Sequence, residues 1–259
     1  MKPEKEYLDE QLILLITEYQ TLAEGTLGYR SMTMVINRFN STNYSLNYIH
    51  RLMKLSNNQA RIRRKKVNRK AYKPEQIGEN TLNREFTAHY SNEKWCSDVT
   101  EFKIPNSNKK LYLCAIKDLY DKSIVAYKMS NRNSNYLVFK TFDLAMEKNL
   151  GATPIFHSDR GFQYTSIVFK AKLDEANMTQ SMSRVGRCID NSPIESFWGT
   201  LKSEMYYGVQ IKDEQDLRNR IDNYIDYYNN HRLQSKLKSL SPNEVRYQTL
   251  NENSIFNYF

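Results

Sequence analysis

The chain has 259 residues, 40% of them hydrophobic, with 8 Gly and 6 Pro and a formal charge of +9. That length and composition suit one full domain plus a smaller one, and they exclude collagen-like, low-complexity and membrane-spanning chains, because no apolar run approaches the ~18 residues a span needs. Three scattered cysteines (Cys96, Cys114, Cys188) and four scattered histidines exclude a disulfide framework and the usual structural-zinc spacings; the N-terminus has no signal-peptide pattern, so the expected compartment is the cytoplasm.

In chain order, residues 5–24 read as a helix, with Leu8, Leu12, Leu15 and Ile16 at helical spacing and Gly25 and Gly28 punctuating its end. Residues 29–39 form a second helix with Met32, Val35, Ile36 and Phe39 as its apolar stripe. After the polar turn 40–43, Ser45 can cap a third helix carrying Leu46, Ile49, Leu52 and Met53. Two short helices across a tight polar turn meet the requirements of a helix-turn-helix, and equally of a plain helical hairpin. The charge favours the first. Between Arg51 and Lys73 there are ten Lys/Arg and no Asp/Glu, which suits a polyanion such as DNA. Arg51, Arg61, Arg63, Arg64, Lys65, Lys66, Arg69 and Lys70 are the expected phosphate-contacting residues.

From Lys94 the period changes. Residues 94–104, 110–120 and 122–129 read as three strands of an antiparallel meander, 135–149 as a helix, 154–158 as a short buried strand, 165–177 as a helix and 178–182 as a fifth strand. Helices follow over 192–207 and 214–229. This order predicts an α/β fold, a mixed five-stranded sheet with helices on its faces. The expected organisation is a helical region over 1–60, a basic linker over 61–90, a catalytic core over 91–210 and a C-terminal helical extension over 211–259.

Three carboxylates stand out. Asp98 lies inside the first strand, as a solvent-facing residue or as a ligand, since a carboxylate in an apolar strand is costly to bury alone. Asp159 ends the fourth strand, where α/β sheets gather ligands, and is equally explained as a turn-former. Glu195 opens a helix, and Ser192, Pro193 and Glu195 have the spacing of a capping box, a role that competes with metal binding. Cutting a phosphodiester at neutral pH needs an activated water and a stabilised leaving oxygen, which two Mg²⁺ ions on carboxylate ligands supply. His157 fits either a support role or a packed core histidine.

Asp98, Asp159 and Glu195, with 35 residues between the last two, sit in longer patterns: Trp95-Cys96-Ser97-Asp98-Val99-Thr100, the run from His157 to Tyr164, and Asp190-Asn191-Ser192-Pro193-Ile194-Glu195-Ser196-Phe197-Trp198 continuing to Lys202. Together with Tyr228-Asn229-Asn230, Ser241-Pro242 and Leu27-Gly28-Tyr29-Arg30, these resemble the DDE transposases of the insertion-sequence-three family, whose core is similar to retroviral integrases. The resemblance covers the chain from about residue 25 onward.

The resemblance implies an RNase H-like core and a DNA strand cleavage and transfer reaction at the ends of an insertion sequence. Asp98, Asp159 and Glu195 would bind two Mg²⁺ or Mn²⁺ ions, Lys202 would touch DNA, and His157 and Asn191 would support the site. It also implies double-stranded DNA as partner (terminal inverted repeats and target), a homo-oligomer on that DNA, a bacterial and nucleoid-associated setting, and an upstream-frame DNA-binding protein as partner or frameshift fusion, this chain being the downstream-frame product. A metal-dependent nuclease on the same fold, and a non-catalytic DNA-binding regulator, are the competing readings. The first does not need the basic arm and the second does not need three carboxylates.

Overall fold

The computed structural model describes residues 2–61, 79–105, 107–184 and 188–248. Arg63, Arg64, Lys65, Lys66, Arg69 and Lys70 lie outside the described residues. The chain divides into two compact units, one of Met1–Lys66 with Arg232–Ser241, the other of Val67–His231 with Pro242–Phe259. No helix among the described residues is long and apolar enough to cross a membrane.

The first unit holds α1 (Lys2–Leu22), α2 (Tyr29–Phe39) and α3 (Leu46–Leu55). Their apolar stripes meet in a small core of Leu12, Ile16, Met32, Ile36, Ile49, Leu52 and Met53. The Ser45 hydroxyl caps α3 by accepting the Tyr48 N–H at 3.3 Å, which is what a Ser before an apolar stripe predicts. Arg51 projects from α3, where its guanidinium pairs with Asp9 at 2.7 Å and lies over the Tyr48 ring. Arg61 donates its backbone N–H to Gly25 O at 3.1 Å.

The second unit is built on five strands, β1 (Lys94–Lys103), β2 (Lys110–Asp118), β3 (Ile124–Ser130), β4 (Ile155–Ser158) and β5 (Gln180–Met182), in the spatial order β3-β2-β1-β4-β5. β1, β2 and β3 pair antiparallel; β4 pairs parallel with β1, and β5 parallel with β4. The mixed sheet predicted from the sequence is therefore present. Alternation along the strands sends successive side chains to opposite faces. Trp95, Cys114, Ile116 and Phe156 pack under α4 (Asn135–Lys148) and α5 (Ile167–Glu175), beside Phe142 and Phe169. Cys96, Phe102, Leu113 and Ala115 face α6 (Ser192–Leu201) and α7 (Glu214–Asn230), beside Phe197, Trp198, Ile221 and Tyr228. Asp98 shares the parity of Cys96 and Phe102 and so faces α6.

α6 differs from its expected form at both ends. It starts after Asn191, with Ser192 as the first helical residue and no side-chain capping bond, so the Ser192–Glu195 capping box is not formed. After Leu201 it continues as one turn of π-helix, Lys202–Tyr206. That wider turn lets two side chains reach β1: Lys202 Nζ donates to Thr100 Oγ1 and to Glu101 O (3.0 Å), and Tyr206 Oη bonds the backbone of Lys103. Single π turns inside helices are a known accommodation of this kind.

Candidate active site

The parallel pairing of β1 with β4 aligns Ser97 with Ser158. One residue further along each strand stand Asp98 and Asp159, so neighbouring strands deliver the two carboxylates side by side on the α6 face. Gly161 then turns the chain. Its N–H donates to Asp159 Oδ1 at 2.9 Å, and a Cβ at this position would lie 3.0 Å from that same oxygen. A side chain here would push that carboxylate aside by a few tenths of an ångström, so glycine suits the close approach. On β1, Asp98 Oδ2 accepts the Trp198 indole N–H at 2.9 Å. Trp198 lies one helical turn beyond Glu195, so α6 both orients Asp98 and carries the third carboxylate.

The three acids share an electrostatic environment. Burial and the Asp159 charge raise Asp98, with Glu195 adding to the rise; Asp159 is raised mainly by burial; Glu195, on the solvent side, is raised by partial burial and by Asp159. The Asp159 charge is thus felt at both Asp98 and Glu195. Among the described residues, no Lys or Arg forms an ion pair with any of them. The donor set is all oxygen and excess negative, which fits a hard divalent cation. It is not a closed cage: among the described residues no three His, Cys, Asp or Glu side chains are gathered tightly enough to hold an ion.

The supporting residues divide. His157 is fully buried, with Nδ1 on Ser181 Oγ and Nε2 on Asp190 O, both at 2.9 Å. Burial lowers its pKa. It bonds the frame behind the carboxylates and does not face them. Asn191 is buried, its Nδ2 reaching Ser97 O at 3.4 Å, while its Oδ1 has no hydrogen-bond partner. Lys202 is tied to β1 as described above and lies over the Phe102 ring.

Two features escaped the sequence reading. Asp190 is buried and takes hydrogen bonds from Arg84, Arg184 and Asn80. The Arg184 and Arg84 guanidiniums hold its carboxyl below the usual range. Arg84 stands 106 positions away in the chain, and no local pattern could have announced it. Trp198 was read only as a core residue; an indole on a helix face gives no sign of which polar group it will meet.

Comparison with known proteins agrees with this architecture. Models described as "Integrase core domain" match residues 88–188 and 195–250, and one described as "HTH-like domain" matches residues 7–66. The chain is 45% identical over 175 residues to an uncharacterized transposase-like protein of Haemophilus influenzae, covering 68% of this chain and 80% of that one. It is 37% identical over 237 residues to the putative transposase InsK for insertion sequence element IS150 of Escherichia coli, covering 90% of this chain and 82% of that one. It is 33% identical to the transposase InsF for insertion sequence IS3fB of the same organism, covering 67% of this chain and 60% of that one. Among solved structures, one of the simian T-cell lymphotropic virus intasome in complex with PP2A regulatory subunit B56 gamma matches with a TM-score of 0.50 at 13% identity, covering 90% of this chain and 73% of that chain. That likeness concerns the fold alone.

Proposed function

The chain belongs to the transposases of the insertion-sequence-three family, with an integrase-type, RNase H-like core, and on that premise we propose that Asp98, Asp159 and Glu195 hold the divalent ions with which it cuts and joins DNA at the ends of an insertion sequence. The observation that carries the proposal is the parallel β1–β4 register, which delivers Asp98 and Asp159 side by side facing α6, the helix that carries Glu195, with no counter-cation on any of the three among the described residues.

Asp98, central on the sheet, would hold two Mg²⁺ or Mn²⁺ ions together with Asp159 and Glu195. Bound there, such ions would lower the pKa of the attacking water or 3′-hydroxyl and stabilise the leaving oxygen. The protein's own contribution is placement. Gly161 fixes one oxygen of Asp159, Trp198 fixes one oxygen of Asp98, and Glu195 stays open to the solvent side from which DNA approaches. Lys202 stands on the Glu195 helix and supplies a cation near the scissile phosphate. In the other unit, α2 and α3 with Arg51 and Arg61 bind the DNA ends, and the run from Arg63 to Lys70 follows the phosphate backbone. That binding should weaken steeply with salt as counterions are retained. The working form is a homo-oligomer on DNA, alone or with an upstream-frame DNA-binding partner.

The test uses labelled double-stranded DNA carrying the terminal repeats that flank the element. Nicked and joined products that appear with Mg²⁺ and vanish with chelator are expected. Nicking that never proceeds to joining would favour a nuclease, and binding without either product would favour a regulator.

A further inference from the structure

The start of α6 is gripped from two sides by groups that touch no carboxylate of the site. The Asp190 carboxylate receives Arg84 Nε at 2.7 Å, Arg184 Nε at 2.9 Å, Arg184 Nη2 at 3.1 Å, the Arg184 backbone N–H at 3.0 Å and Asn80 Nδ2 at 3.1 Å. Its backbone carbonyl receives His157 of β4. His157 is two residues from Asp159, and Asp190 is five residues from Glu195. The two carboxylates delivered by β4 and α6 are thus joined through one short bonded path.

The strap that brings Arg84 is itself sewn to the sheet. Met182 N–H donates to Glu79 O at 3.1 Å, Leu82 N–H donates to Ser181 Oγ at 2.9 Å, and the Leu82 side chain is buried in the α6 face core. Its turn places Asn83 and Arg84 in the left-handed region, with φ of 40° and 66°. Non-glycine residues occupy that region at a cost of about 1 kcal/mol or more, and they persist there when the surroundings over-determine them. The Arg84 and Arg184 side chains are more than a third exposed, and ion pairs screened in this way contribute little to stability alone. Both features suggest placement as the reason for the pair.

We infer that Arg84 and Asp190 are positioning residues that set Glu195 against Asp159, so that the site's grip on its divalent ions depends on a side chain that touches neither the ions nor DNA. This rests on the metal-binding reading above. A shift of Asp190 carries Asn191 and the first turn of α6 with it, and Glu195 leaves its register with β4.

The test reads the rise in Tm on Mg²⁺ titration of the full chain, for wild type, Arg84→Gln, Arg84→Lys and Asp190→Asn, alongside binding and cleavage of terminal-repeat DNA. Arg84→Gln and Asp190→Asn should bind DNA as wild type but need about 10- to 100-fold more Mg²⁺ for the same rise, the usual cost of losing a group that orients a metal ligand. Cleavage should return at high Mg²⁺, and Arg84→Lys should fall between. A wild-type Mg²⁺ response in the folded variants overturns the positioning role, as does a loss of cleavage that Mg²⁺ cannot restore. Failure of both Arg84 variants to fold also overturns it, since the pair would then hold the fold and not the register. Absence of any Mg²⁺ response in wild type would remove the metal-binding reading and this inference together, a result distinct from the others.

Discussion

Two groups of carboxylates sit on one sheet and are neutralised in opposite ways. At the turn between β2 and β3, Asp118 and Asp121 are both fully buried, but Arg246 reaches between them, 2.8 Å from Asp121 and 3.5 Å from Asp118, and also bonds Asn92 and Asn149 at 2.7 Å. Backbone N–H groups of Asn92, Tyr120 and Ser123 complete the set. Asp98 and Asp159 each have a partner for one carboxylate oxygen, and among the described residues none of Asp98, Asp159 and Glu195 pairs with a cation. The first cluster is closed and fastens the segment around residue 246 to the core. The second has no counter-cation among the described residues and is partly open. What distinguishes a structural acid cluster from a candidate metal site here is therefore not burial or acid count, but whether the chain provides its own counter-charge.

The sharpest break of this comparison comes from removing charge at the open cluster. Asp98→Asn should abolish strand cleavage, a loss of about three orders of magnitude or more, because several kcal/mol of metal-derived stabilisation vanish. Gel analysis of DNA products reads this directly. The same change at the closed cluster acts on stability instead. Arg246→Ala leaves two buried carboxylates facing each other and should cost about 3–5 kcal/mol in urea unfolding, with Asp118→Asn recovering part of the loss.

A smaller effect concerns pH without metal. In the folded chain the raised carboxylates keep protons that the unfolded chain has already released, so stability falls as pH rises from the ordinary carboxylate range through the raised one. Burial and Asp121 push Asp118 up to about 6, which contributes the same slope in wild type and in Asp98→Asn. Asp98→Asn removes its share, and metal-free Tm near pH 8 should rise by about 2–4 °C for each kcal/mol relieved. A Tm unchanged or lowered at that pH would contradict the account of repulsion. Trp198→Phe should have the least effect. It removes one hydrogen bond to Asp98 and part of a buried ring from the core on the α6 face, so urea unfolding is read beside the Mg²⁺ response. The expected signature is a higher Mg²⁺ requirement for cleavage with DNA affinity unchanged.

Most of this sheet could be read from the sequence, because its signals are local. The alternation in β1 to β3, the apolar stripes of α2 to α5, and Ser45 before α3 each act within a few residues. The two carboxylates on strands were legible in position, but their adjacency depends on the parallel β1–β4 register, which no local pattern states. Glu195 shows where local reading misleads. Ser192, Pro193 and Glu195 have capping-box spacing, yet the helix begins one residue earlier in the box's terms because Asp190 and Asn191 are fixed by Arg84, Arg184, His157 and β1. Long-range bonds override the local preference, and they leave the Glu195 carboxylate unspent on its own helix end.

That freed carboxylate makes Glu195→Gln the most direct test of the central claim. The substitution keeps size and helix position while removing one charge from the open cluster. With terminal-repeat DNA and Mg²⁺, the variant should bind DNA as the wild type does and yield neither nicked nor joined product. Full cleavage and joining by Glu195→Gln would contradict the assignment of the third metal-holding carboxylate, and with it the account of the open cluster.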